Sequence, residues 1–200
     1  MLAGPGADVS GPWCTTSMIV QYYTATSLDG FIADPDNSLS WLLELGDGSD
    51  TGYNAFIADV GALAMGSTTY EWVHRELNLA DEPDAWPYEQ PTWVFSSRTL
   101  PDVPEADIRF VAGDVKDMFD EQRTAAAGRN LWIVGGGDLA GQYDDAGLLD
   151  EVIVDVAPVT LGSGAPLLPR RITSPRLRLQ EARVNGGVFA RLRYTVQRAG

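Results

Sequence analysis

Short runs of apolar and β-branched residues alternate along this chain with segments of helical spacing, and that alternation narrows the fold more than any other feature. The runs are IVQYYT (19–24), ALAM (62–65), TWVF (92–95), IRFV (108–111), LWIV (131–134) and EVIVDV (151–156). Each is too short for a helix and most are bounded by Gly, Asp, Pro or Ser, so they read as buried strands. Helical patterns fall at 53–59, from Ser67 onward with Tyr70, Val73 and Leu77 on one face, at 115–127 with Met118, Phe119 and Gln122, and in DLAGQYDDAGLL after the glycines at 135–137. Strands alternating with helices predict a parallel sheet with helices on its faces. The C-terminal part differs: LRLQEARV and VFARLRYTV flank Asn185-Gly186-Gly187, a strong signal for an antiparallel hairpin. The expectation is an α/β fold on a mixed sheet of eight strands.

Two hundred residues suit one such domain. Residues 1–17 lack the basic start and apolar core of a secretory signal and read as a flexible N-terminal tail, with Met18 as an alternative start and 18–197 as the domain. Fourteen Lys and Arg against 28 Asp and Glu give a net charge of −14, which disfavours nucleic acid and anionic membranes as partners. No apolar stretch is long enough to span a bilayer. Cys14 is the only cysteine, so neither an intrachain disulfide nor a zinc site built from several cysteines is available, and a reducing cytoplasm fits best.

With a negative overall field, an anionic small ligand must be held by backbone amides, helix starts and a few placed Arg. Three strand ends offer this. Val134 runs into Gly135, Gly136 and Gly137 and then Asp138 and Leu139 at the start of a helix. Bare glycines admit a diphosphate to the backbone, or serve only the dihedrals of a tight turn. Met65 runs into Gly66, Ser67, Thr68 and Thr69, whose hydroxyls either cap the next helix or hold another phosphate. Phe95 leads to Ser96, Ser97 and Arg98, a phosphate clamp or a solvated polar loop. Carboxyl ends of parallel strands share one edge of a sheet, so the three reinforce one another.

The ordered set SLDGFIA, MGSTTYE, VFSSRTL, IVGGGDLAGQ and LDEVIVDVAPVTLGSGAPLL resembles the dihydrofolate reductases and the reductase domain of riboflavin biosynthesis, especially small single-domain bacterial members, from Met18 to Val196. The resemblance implies a three-layer dihydrofolate-reductase-like fold that binds NADPH, and a homodimer. It places Ala25 near the nicotinamide, Gly66–Thr69 beside the cofactor's phosphates, Phe95–Arg98 by the adenosine phosphate and Val134–Leu139 beneath the diphosphate. Where the family commonly has Arg after the glycine of the second motif, this chain has Ser67. Arg98 is then the main candidate for the 2′-phosphate, and NADH is possible as well. The acid that holds the pterin ring in dihydrofolate reductases has no clear counterpart among Glu44, Asp47 and Asp50. The Glu that usually precedes the paired glycines in riboflavin-pathway reductases is replaced by Val134.

Asp29 matches the SLDG motif of the riboflavin-type branch. It is either the carboxyl that supplies a proton during hydride transfer, its pKa raised, or a turn residue bonded to local backbone. Trp41 and Tyr53 offer an aromatic wall for a flat substrate, or belong to the core. His74 has no second ligand at metal spacing, and the acidic run DDAGLLDE lacks the pattern of a calcium loop. TLGSGAPLLP reads as an ordered loop beside the cleft or a subunit contact. The expected activity is hydride transfer from NAD(P)H to a flat, pterin- or pyrimidine-like nitrogen heterocycle or a related unsaturated small molecule. The alternative is a nucleotide-binding or sensing module without chemistry.

Overall fold

In chain order the elements are β1 (Val20–Thr26), β2 (Phe31–Ala33), α1 (Ser40–Leu43), α2 (Tyr53–Ala58), β3 (Val60–Gly66), α3 (Ser67–Glu76), β4 (Thr92–Phe95), β5 (Ile108–Val111), α4 (Val115–Ala126), β6 (Asn130–Gly135), α5 (Gly137–Asp145), β7 (Glu151–Val156), β8 (Ala165–Pro166), β9 (Leu177–Asn185) and β10 (Phe189–Val196). The computed structural model describes residues 18–45 and 52–198, so the expected tail at 1–17 and the candidate acids Asp47 and Asp50 lie outside the described residues.

One eight-stranded sheet runs in the order β5-β4-β3-β6-β1-β7-β10-β9. The six strands from β5 to β7 are mutually parallel, while β10 runs antiparallel to β7 and β9 to β10. This is the expected mixed sheet with its C-terminal hairpin. Alternation along the strands sorts side chains to two faces. Val20 and Tyr22 of β1, Ala62 and Ala64 of β3 and Leu131 and Ile133 of β6 pack against Leu139, Ala140 and Tyr143 of α5. The opposite face carries Tyr23, Leu63 and Trp132 against Phe56 and Ile57 of α2, with Met65 and Val94 against Tyr70 and Val73 of α3. Each large apolar side chain fully buried in these layers contributes roughly 1.5–3 kcal/mol.

Gly61 shows why β3 starts as it does. A Cβ there would stand 2.1 Å from the Ala126 carbonyl oxygen, so only glycine lets the end of α4 lie against the strand. On β7 and β10 a polar row is buried within the sheet. Asp155 accepts from Arg191 Nε at 2.8 Å, Tyr23 Oη at 2.9 Å and Asn185 Nδ2 at 3.1 Å. Beside it, Glu151 accepts from Arg193 Nε at 2.7 Å and Gln21 Nε2 at 2.7 Å.

Two elements depart from expectation. The segments FIA and AP, the latter within a run read as an ordered loop, pair as a small second sheet, β2 with β8. Strands of three and two residues show no periodicity and exist only because their partner lies far along the chain. The hydroxyls of Ser67, Thr68 and Thr69 do not cap α3: Gly66 occupies the cap position and no side chain accepts there. The three residues are already within the first turn.

Candidate functional site

Strand register brings the three glycine- and hydroxyl-bearing turns side by side. Gly66 at the end of β3 pairs with Phe95 at the end of β4, and Met65 pairs with Gly135 at the end of β6. The turns after these strands therefore share one rim of the sheet. Next to it lies a cavity of about 300 Å³. Its walls are Thr24 of β1, Thr68, Thr69 and Trp72 of α3, Val134 and the glycine turn through Asp138, the β2–β8 pair, and Asn37, Leu39 and Pro169 from loops.

The glycines at 135–137 are each fixed for a different reason. A Cβ on Gly135 would lie 2.7 Å from Thr69 Oγ1, so its absence lets α3 approach β6. Gly136 has φ 92°, a left-handed conformation natural to glycine. A Cβ on Gly137 would lie 2.3 Å from the Pro166 carbonyl oxygen and 2.4 Å from that of Leu167. The turn is thus required by its dihedral and its packing, and it also presents an open helix start. Both α3 and α5 begin after glycine caps with no side-chain acceptor. The first-turn N–H groups of such helices have no intrahelical partner and carry the positive end of the helix dipole.

Asp138 sits at the start of α5, and its carboxylate is engaged by two donors. Arg170 Nη1 donates to its carboxylate at 2.9 Å and Gln142 Nε2 at 3.0 Å, and these bonds hold its pKa below the ordinary carboxylate value. Arg170 also donates to Asp145 at 2.7 Å, reaching both ends of α5. It crosses the helix where Gly141 leaves room, since a Cβ there would meet the guanidinium carbon at 2.7 Å.

Of the residues expected at the site, Thr68, Thr69, Val134, Gly135, Gly136, Gly137 and Asp138 line the cavity. Gly66 adjoins them, its N–H 3.9 Å from where a Cβ on Gly136 would be. Ser67 and Arg98 meet, with Arg98 Nη2 donating to Ser67 Oγ at 3.0 Å. Ser96 Oγ accepts from the Arg98 N–H at 2.9 Å, Ser97 is exposed, and Phe95 packs edge-on against Tyr143. Leu139 is buried in the core.

Four further expected residues lie outside the cavity wall. Asp29 is not in the cavity wall. Its carboxylate accepts from Ser27 Oγ at 2.5 Å, Leu161 N–H at 3.1 Å and Gly162 N–H at 2.7 Å. Those bonds, the Ser27 hydroxyl foremost, lower its pKa, the reverse of what a proton donor needs. Ala25 packs with Trp41, Ala157 and Phe189, and the strand's alternation gives the cavity Thr24 instead. Trp41 is a core residue whose Nε1 finds no partner among the described residues. Tyr53 stands edge-on to Trp132, 5.9 Å between ring centres, in the cluster beneath α2.

Thr24, Trp72 and Asn37 are cavity residues that the sequence reading did not assign. Period-two alternation from Tyr22 identifies Thr24; Trp72 and Asn37 carry no comparable signal. No Lys or Arg side chain lines the cavity, and residues 1–17, 46–51 and 199–200 contain neither type. Among the described residues no group of three His, Cys, Asp or Glu has metal-holding geometry, and no helix is long and apolar enough to cross a membrane.

Comparison with known proteins agrees with this architecture. The family model for the RibD C-terminal domain matches residues 18–189. The uncharacterized protein YwjB of Bacillus subtilis (strain 168) is 32% identical over 158 residues, 79% of this chain and 87% of its own. A crystal structure of a protein from Shewanella sp. PV-4, provisionally assigned to riboflavin biosynthesis, is 30% identical and superposes with a TM-score of 0.73 over 90% of this chain and 100% of its own. Dihydrofolate reductase from Enterococcus faecalis, solved with NADP(H), shares the fold at 14% identity with a TM-score of 0.57, over 91% of this chain and 97% of its own.

Proposed function

The chain belongs to the RibD C-terminal domain family, and from this premise we propose that it is an NAD(P)H-dependent reductase. Its substrate is a flat nitrogen heterocycle, pterin- or pyrimidine-like, or a related unsaturated small molecule, and its setting is the cytoplasm, as a homodimer. The observation that carries the reading is the register of Gly66 with Phe95 and of Met65 with Gly135, which puts three anion-compatible turns on one rim beside the cavity.

The residues present suit a pyridine dinucleotide. Two uncapped helix starts meet at the glycine turn, and Gly66 has open space where a side chain would project. Backbone N–H groups of the first turns of α3 and α5 would hold the diphosphate, with Arg98 and Ser67 toward the adenosine end. The bound cofactor supplies a hydride. The chain's own contribution is orientation and exclusion of water: Ile32, Leu39, Trp72, Val134 and Pro166 make the cavity wall largely apolar.

Among the described residues Asp138 is the single ionisable residue of the wall, and Gln142 and Arg170 hold it as a carboxylate. With no other ionisable residue in the wall among the described residues, this reading takes the proton from water or from the substrate itself. The same observation favours the second reading, a module that binds the dinucleotide without turnover. Calorimetric titration with NADPH and NADH tests the shared premise, and loss of nicotinamide absorbance across pterins, pyrimidinones and small carbonyls separates the two. Absence of binding by either dinucleotide overturns both.

A further inference from the structure

At the adenosine end of the rim, Arg98, the main candidate to meet a 2′-phosphate, is already engaged. Arg98 Nη1 and Nη2 donate to the two carboxylate oxygens of Glu71, each at 2.9 Å, and Nη2 also donates to Ser67 Oγ. Ser67 opens α3 and Glu71 lies on its second turn while Arg98 follows β4, and the pairing of Gly66 with Phe95 holds the two elements together. The side chains of Arg98 and Glu71 remain 57% and 36% exposed, so a ligand can reach both.

The geometry points to Glu71 as the group that sets dinucleotide preference, restraining the affinity for NADPH so that NADH is accepted comparably. This rests on the dinucleotide reading of the rim. With the fork on Glu71 and the bond to Ser67 made, Arg98 keeps two of its five N–H donors, the Nε–H and one on Nη1, and the ion pair has no net charge to offer. A 2′-phosphate must displace the carboxylate or stand beside it, and repulsion between like charges some 5 Å apart in a partly solvated site is worth on the order of tenfold in affinity per charge pair. A ribose 2′-hydroxyl meets no such penalty and can donate to the carboxylate with the ion pair intact, the use that dinucleotide sites make of an acidic residue. Ser67 adds a hydroxyl but no charge.

The test is calorimetric titration of the full chain, wild type and Glu71→Gln, with NADPH and with NADH. Glu71→Ala serves as a second variant, and thermal unfolding checks each fold. The expected wild-type dissociation constants lie within about tenfold of each other. Removing the carboxylate should tighten NADPH by about tenfold and leave NADH unchanged or weakened by up to about threefold. A change in the NADPH-to-NADH ratio below about threefold in both folded variants overturns the assignment of Glu71 while leaving the cofactor reading intact. Failure of the wild type to bind either dinucleotide overturns both.

Discussion

The Asp29 carboxylate accepts the backbone N–H of Gly162 at 2.7 Å, joining positions 133 residues apart. With the bonds from Leu161 and Ser27, it fixes the loop after β7 to the turn before β2, and so sets the position of the β2–β8 wall of the cavity. Asp29→Asn should raise amide hydrogen exchange at 159–162 by about tenfold at neutral pH and leave the central strands protected. Because the folded-state pKa is depressed, the clamp is fully present above the unfolded carboxyl value near pH 4 and is lost as pH falls through the lower folded value. The wild-type loop should show the same release in that acidic window.

Gly135→Ala places a methyl group 2.7 Å from Thr69 Oγ1 and 3.0 Å from Thr69 Cγ2. Urea unfolding should report a loss of about 1–3 kcal/mol, and Thr69→Ala in the same chain should restore much of it, since the nearest remaining atom is Cβ at 3.4 Å. Gly137→Ala meets backbone oxygens that no side-chain change can move, so its loss should exceed that of Gly135→Ala and resist rescue.

Arg191→Ala should cost about 3–5 kcal/mol in the same assay, because it strands the buried Asp155 carboxylate without its cation. Replacing Asp155 and Arg191 together by apolar residues should cost less than this single change.

Burial pushes the Tyr23 hydroxyl up to about 12, with the Asp155 charge adding to the effect. Tyr70 is likewise pushed to about 12 by burial, and burial raises Tyr22, Tyr88 and Tyr143 as well. A raised folded value means that the stabilisation is complete below the unfolded tyrosine pKa near 10 and disappears as pH climbs through the folded one. Urea midpoints should be flat from about pH 8 to 9.5 and fall steeply above about 10, and Tyr23→Phe should make that fall shallower.

The sequence revealed most where local signals suffice. Glu151–Val156 reads as a strand with its observed limits because both its faces are buried, and the hairpin forms where Asn185-Gly186 signals it, although Asn185 ends β9 and the positive φ of 54° and 71° fall on Gly186 and Gly187. The rim was legible because strand ends rich in glycine and hydroxyls follow one another in a parallel sheet. What stayed hidden depends on partners far along the chain. Glu71 and Arg98 are separated by 27 positions, and the β2 and β8 strands are too short to show a period. Asp29 bears a motif-like sequence context, yet its bonds to Leu161 and Gly162 are invisible in one dimension.

Arg170 lies in the notch left by Gly141 and grips Asp138 and Asp145 together. One guanidinium thus ties the two extremities of the helix to the same point, while Gly137 is packed against the carbonyl oxygens of Pro166 and Leu167. The amides that open α5 are therefore placed by packing before any visitor arrives, so whatever docks against them spends less of its binding energy on ordering the host.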